Sequence, residues 1–157
     1  SEFIIKLTPV GEQYPLIFLP VDEDNPDWTV RTFCYNSDMD SLLILYQDKN
    51  IIHQYIGVYF NQDGPWIKGS DLHTTFEFIE NIHHGCYAMT YHNNKYYLLA
   101  VDLAGDDVLL TTDSTLTLLS SEVIMDSTIT GLDFLGDSDS LFFSHRNRTI
   151  SYFNLVD

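Results

Sequence analysis

Residues Thr29 to Ile52 can be laid on Thr128 to Ser151 without a gap, at an offset of 99 positions, with six identities: Thr29/Thr128, Asp38/Asp137, Asp40/Asp139, Ser41/Ser140, Leu42/Leu141 and Ile51/Ile150. Val30/Ile129, Tyr35/Phe134, Leu43/Phe142 and Asp48/Asn147 are alike in kind. Self-similarity constrains a chain strongly, because each copy is a unit that must bury its apolar face against a neighbour. Both copies read as strand, Asp-x-Asp-Ser turn, strand, polar turn, strand, which makes three consecutive antiparallel strands. The middle of the chain carries a looser copy: Cys86 to Tyr91, a His92-Asn93-Asn94 turn, Tyr96 to Asp102, a Gly105-Asp106-Asp107 turn and Val108 to Thr112. Asn93-Asn94 marks a tight hairpin, since Asn tolerates the positive φ such turns require.

The remaining β-type runs are Phe3 to Leu7, Leu16 to Leu19, Ile51 to Phe60, Trp66 to Lys68, Thr75 to Ile79, Leu116 to Leu119 and Val123 to Met125. Breakers such as Asn61-Gln62-Asp63-Gly64-Pro65 separate them. No segment holds an apolar 3.6-residue period over a helical length. The composition points the same way, with 17 Asp against 6 Glu and only 3 Ala, beside 10 Tyr, 10 Phe and 13 Thr. Asp favours turns, Glu and Ala favour helix interiors, and aromatic and β-branched residues fit a pleated surface. A chain of 157 residues is long enough for one buried core. The expectation is a single all-β domain over residues 1–157, built of antiparallel meanders.

The stretch Ile129-Thr130-Gly131-Leu132-Asp133-Phe134, Asp137 to Leu141, Asn147-Arg148-Thr149-Ile150 and Tyr152-Phe153-Asn154-Leu155 resembles a blade of the WD40-type β-propellers. Asn147 stands where that pattern usually has a structural Asp, Tyr152-Phe153-Asn154 stands where Trp-Asp is common, and the Gly-His dipeptide is missing. The resemblance implies a propeller-like fold. Blades of about 40 residues fit just under four times into 157, so the ring would be small or partial. A β-sandwich or barrel of the same meanders is the alternative.

Seven Lys and Arg against 23 Asp and Glu give a net charge of −16. Such a surface has too few cations to release phosphate counterions, so nucleic acid and anionic membranes are not expected partners. No apolar run approaches the roughly 20 residues a membrane-spanning helix needs. The N-terminus shows no basic segment followed by a long apolar run. With only two cysteines, Cys34 and Cys86, this leans to an intracellular chain. The Asn147-Arg148-Thr149 sequon falls in a turn, where a backbone role is expected rather than a glycan.

His83, His84 and Cys86 are the tightest group of metal-competent residues, but in a strand only His84 and Cys86 would share a face, a third ligand would have to come from His53, His73 or Cys34, and no zinc is expected there. Acidic turns supply oxygen atoms of the kind calcium takes, yet none has the spacing of a helical calcium loop. Gly-x-Ser-x-Gly, His-Glu-x-x-His and glycine-rich phosphate loops are all absent. The expectation is therefore a non-enzymatic protein-interaction module without a cofactor, whose acidic surface receives a protein with a basic surface. An acidic inhibitor or immunity-type protein filling a cationic enzyme cleft is the alternative, and a carbohydrate-binding β-domain the third reading. Candidate partner-binding residues are Asp38, Asp40, Asp106, Asp107, Asp137 and Asp139 in the turns, and the Tyr96-Tyr97 pair, whose neighbours in a strand face opposite ways. The terminal strands Phe3 to Leu7 and Thr149 to Leu155 carry a single charge, Lys6, and offer open edges. They are expected to pair with each other or with another chain in a homo- or hetero-oligomer.

Overall fold

A computed structural model describes residues 3–4, 17–18, 29–47, 54–60, 67–68, 74–75, 82–124, 128–136 and 138–155. Along these run fourteen strands and no helix: β1 (Phe3–Ile4), β2 (Ile17–Phe18), β3 (Thr29–Asn36), β4 (Ser41–Gln47), β5 (Gln54–Phe60), β6 (Ile67–Lys68), β7 (Thr74–Thr75), β8 (Ile82–His92), β9 (Lys95–Asp102), β10 (Asp107–Asp113), β11 (Leu118–Ile124), β12 (Ile129–Phe134), β13 (Ser140–His145) and β14 (Ile150–Asn154). All pairings are antiparallel. They form a first meander β3-β4-β5-β6 with β7 also on β5, a second β8-β9-β10-β11, a third β12-β13-β14, and a separate β1-β2 pair. None of these sheets closes on itself.

The repeat seen in the sequence is a repeat of register. Tyr35 pairs with Leu42 and Phe33 with Ile44, and at the same offset Phe134 pairs with Leu141 and Leu132 with Phe143. Both hairpins carry a bulge at one place, between Val30 and Thr32 in the first and between Ile129 and Gly131 in the third. The second meander has it too, between Cys86 and Ala88 in β8. A bulge bends and twists its strand, so the three opening strands curve alike. The copies part company at the next strand. Leu45 pairs with Ile56, whereas its counterpart Ser144 pairs with Ile150, the counterpart of Ile51, so the paired positions lie five residues further apart along the chain in the first meander.

Turn chemistry sets the ends of the strands. His92 pairs with Lys95 across Asn93 (φ 48°) and Asn94 (φ 62°), a two-residue hairpin of the expected kind. Asp113 accepts hydrogen bonds from Thr115 N, Thr115 Oγ1 and Thr117 N, and these lower its carboxyl below the usual range. Asn147 accepts from Thr149 N and Oγ1, the turn role read for the sequon. One expectation fails: Leu116 to Leu119 and Val123 to Met125 are not two strands. Leu118, Leu119 and Val123 belong to the single strand β11, where Ser120 and Ser121 pair with β10 on an exposed edge instead of turning; Leu116 stands before it at positive φ (67°), and Met125 lies outside the described residues.

The meanders lie face to face. Cys34, Leu43 and Leu45 of the first pack on Cys86, Met89, Tyr96 and Leu98 of the second. Ala88, Tyr97, Leu99 and Leu109 on the second's other face pack on Ile129, Leu141, Phe143, Leu132 and Phe134 of the third. Calling the face that meets the next meander the front and the other the back, every joint is front on back. The opening strands β3, β8 and β12 lie side by side at these joints. With both faces covered, the second meander has continuous apolar runs, Tyr96 to Ala100 and Val108 to Leu110, all buried.

The two chain ends do not pair with each other among the described residues: β1 pairs with β2, and β14 with β13. Residues 5–7 of the expected first strand lie outside the described residues.

Candidate functional site

Because β3, β8 and β12 lie side by side with their C-terminal ends together, three turns converge. They enclose a cleft of about 310 Å³ lined by Ser37, Asp38, Tyr91, His92, Asp133 and Phe134 among others. The first and third meanders bring carboxylates that the middle one fixes. Tyr91 Oη donates to Asp38 Oδ2 at 2.5 Å, Thr90 Oγ1 to Asp133 Oδ1 at 2.8 Å, and Asn93 Nδ2 to Asp139 Oδ1 at 3.2 Å. The backbone N–H of Phe134 also donates to Asp133 at 2.9 Å. The His92 ring stacks on Phe134 with centroids 4.1 Å apart and planes 13° apart, and its Nε2 lies 3.4 Å from Asp139 Oδ1. No Lys or Arg among the described residues forms an ion pair with Asp38, Asp133 or Asp139.

Beneath the cleft, a fully buried Asn36 ties the first two meanders together. Its Nδ2 donates to Tyr96 Oη at 2.5 Å, while its Oδ1 accepts from Asp38 N at 3.0 Å and Met39 N at 3.1 Å. The turn carrying Asp38 is thus held from the core. Burial, and then the hydrogen bond to Asp38, raise the Tyr91 phenol above its ordinary range, so it stays a donor to that carboxylate. Tyr35 likewise donates to Asp40, and this bond raises its phenol.

The predicted residues separate into groups. Asp38, Asp40 and Asp139 come together at this end, whereas Asp106 lies exposed in the β9–β10 turn at the opposite end of the sheet. Asp107 is buried and accepts from Tyr87 Oη at 2.9 Å. Tyr96 and Tyr97, at 1% and 4% exposure, are core residues. A strand aromatic on both sides is here covered on both sides, so neither tyrosine nor Asp107 presents a docking surface. Asp137 lies outside the described residues, as do the side chains of His83 and His84. Cys86 and Cys34 are buried thiols, each pushed up to about 12 by burial, with Asp133 adding to the shift of Cys34. Among the described residues no three of His, Cys, Asp and Glu stand together as metal ligands.

Reading the sequence alone missed Thr90, Tyr91, His92, Asn93, Asp133 and Phe134 as cleft residues. One signal was present. Phe134 and Asp133 stand at the offset of 99 from Tyr35 and Cys34, a correspondence the sequence shows, and Tyr91 and Thr90 take the same place after the bulge in β8, which appears only in the pairing. No protein-family model matches this chain, and no curated protein or solved structure matches it.

Proposed function

We propose that this chain is a non-enzymatic protein-interaction module, a partial propeller-like fan of three meanders, and that the cleft at the ends of β3, β8 and β12 takes a basic side chain of a protein partner. The carrying observation is that Asp38, Asp133 and Asp139, from two different meanders, are each oriented by a donor from the β8 hairpin. Carboxylates held in place lose little entropy on meeting a cation. The Tyr91 and Phe134 rings beside them suit the apolar stem of Lys or Arg. The net charge of −16 draws a basic partner in from a distance.

The test is binding of an arginine-rich peptide by fluorescence anisotropy in about 0.1 M and about 1 M salt, where the screening length falls from about 10 Å to about 3 Å. Asp38→Asn and Asp139→Asn should each weaken binding about tenfold, or about 1.4 kcal/mol. Asp106→Asn, which removes the same charge at the other end of the sheet, should leave it within twofold. Equal losses in all three variants would mean that overall charge and not the cleft attracts the peptide, and the reading would fall.

A further inference from the structure

We infer that β14 is a docking edge for β14 of a second copy of this chain, the two strands pairing antiparallel about a two-fold axis at Tyr152. The first and second meanders each carry a strand beyond their third, β6 on β5 and β11 on β10, whereas β14 ends the third meander with no strand beyond it among the described residues. The opening strands β3, β8 and β12 lie at the joints between meanders, which leaves β11 and β14 as the outer strands longer than two residues.

Backbone register shows which groups of β14 face outward. Leu155 N–H donates to Asp139 O at 2.9 Å and His145 N–H to Thr149 O at 3.1 Å, both between residues directly opposite in the register of β13 and β14 continued past the strand ends. Hydrogen-bonded pairs alternate along an antiparallel ladder, so Ser151 and Phe153 turn their amide groups to β13, and Ile150, Tyr152 and Asn154 turn theirs away from it. All five residues of β14 are exposed. β11 carries Glu122, a charge that guards an edge, while Ile150-Ser151-Tyr152-Phe153-Asn154 carries none.

What fits this edge is the edge itself. With the axis at Tyr152, that residue meets Tyr152 of the second copy and Ile150 meets its Asn154, and each such pair exchanges two backbone hydrogen bonds. The cross-strand row Asp133, Phe142, Tyr152 then runs on into Tyr152 and Phe142 of the second copy, aromatic neighbours of the kind that stabilise sheets. Within one chain the Phe142 and Tyr152 rings already lie 5.9 Å apart. The exposed side chains of Ile150, at 72%, and Tyr152, at 66%, fall on this contact. The two ends are complementary in charge. Arg146 and Arg148, two of only seven cations, stand exposed in the turn before β14, and Asp139, its side chain 70% exposed, stands opposite Leu155 at the far end. Antiparallel pairing lays the basic end of each strand beside the acidic end of the other. Each copy uses its one edge, so assembly stops at the dimer.

Two copies of −16 repel at long range, so salt, which screens that repulsion, should promote pairing, opposite to the peptide binding above. Light scattering over a concentration series in about 0.1 M and about 1 M salt should show the mass rising to twice that of the monomer and stopping there. Tyr152→Pro removes an outward N–H that β13 does not use, so its circular dichroism spectrum should match the parent's while its dimer dissociation constant rises about tenfold or more. Tyr152→Ala, which keeps that N–H, should lose less. Cross-linking reads the register, because hydrogen-bonded partners stand about 5.5 Å apart at Cα, within disulfide reach. Under mild oxidant Tyr152→Cys should link to itself, Ile150→Cys should not, and Ile150→Cys mixed with Asn154→Cys should link, the native thiols being buried. A parent monomeric under every condition would overturn the proposal. So would a Tyr152→Pro variant that dimerises as well as the parent, or Ile150→Cys linking to itself as readily as Tyr152→Cys, which would place the contact elsewhere.

Discussion

The second and third meanders are the same device in two situations. In the second, both faces are covered, and β9 holds five buried residues in succession from Tyr96 to Ala100. In the third, one face is covered, and β13 alternates, with Leu141 and Phe143 buried, Phe142 partly so and Ser144 exposed. The bulge and the first hairpin register are shared, so backbone pairing does not depend on how many neighbours a sheet has. Side-chain pattern does. A sheet between two others has no solvent side, and a polar residue on either face needs a hydrogen-bond partner. Thr90 has such a partner in Asp133, and Asp107 has one in Tyr87.

The largest effect that would sharpen this comparison is on stability. Tyr97→Ala opens a cavity between the second and third meanders and should cost about 3 to 5 kcal/mol. Tyr152→Ala, in the corresponding cross-strand row of the open face, should cost under about 1 kcal/mol in a monomer. Urea unfolding of both variants at low protein concentration decides it. Comparable losses would mean that the front of the third meander is covered already.

Alkali should act next, and on the joint between the first and second meanders. Cys34 and Cys86 there rise from 9.0 to about 12, and Tyr96 from 10.0 to about 12, chiefly through burial. Between those limits the folded chain holds protons that the unfolded chain has released, so the stability these groups contribute is complete below pH 9.0 and declines as pH rises towards about 12. Per group the slope is up to about 1.4 kcal/mol per pH unit. Urea midpoints should be flat in this respect up to pH 9.0 and fall beyond it. A midpoint unchanged well above that pH would show the thiols reaching solvent in the native state.

The smallest effect should ignore the comparison altogether. Gly105 (φ 91°) turns the second meander and Gly136 (φ 60°) the third, and an added methyl group meets nothing within 4 Å at either. Ala at each position should therefore cost only the left-handed backbone strain, about 1 to 2 kcal/mol, and the two costs should match. If Gly136→Ala cost far more than Gly105→Ala, the turn at the cleft would be under a constraint from its neighbours that backbone strain alone does not supply.

Strands and turns were legible because they are local. Asn93-Asn94 announces a hairpin through φ alone, and Lys95 to Asp102 announces a strand through its β-branched and aromatic residues. The offset of 99 positions even carried the pairing of the first hairpin, since identical turn lengths impose identical registers. The Ser120-Ser121 misreading has the same root, because local polarity looks like a turn until a partner strand is known.

The cleft was not legible in the same way. Tyr91 meets Asp38 across 53 positions and Asn93 meets Asp139 across 46, and nothing in either local sequence specifies that meeting. Sequence by itself determined the β character, the turns and the repeated register, all of which depend on residues near one another along the chain. Only tertiary structure decided that Tyr96, Tyr97 and Asp107 are buried, that Asp106 stands apart from Asp38 and Asp139, and that one sheet has two covered faces and another has one. The reason is physical: an alternating strand offers two faces, and which of them meets water depends on sheets formed by distant residues.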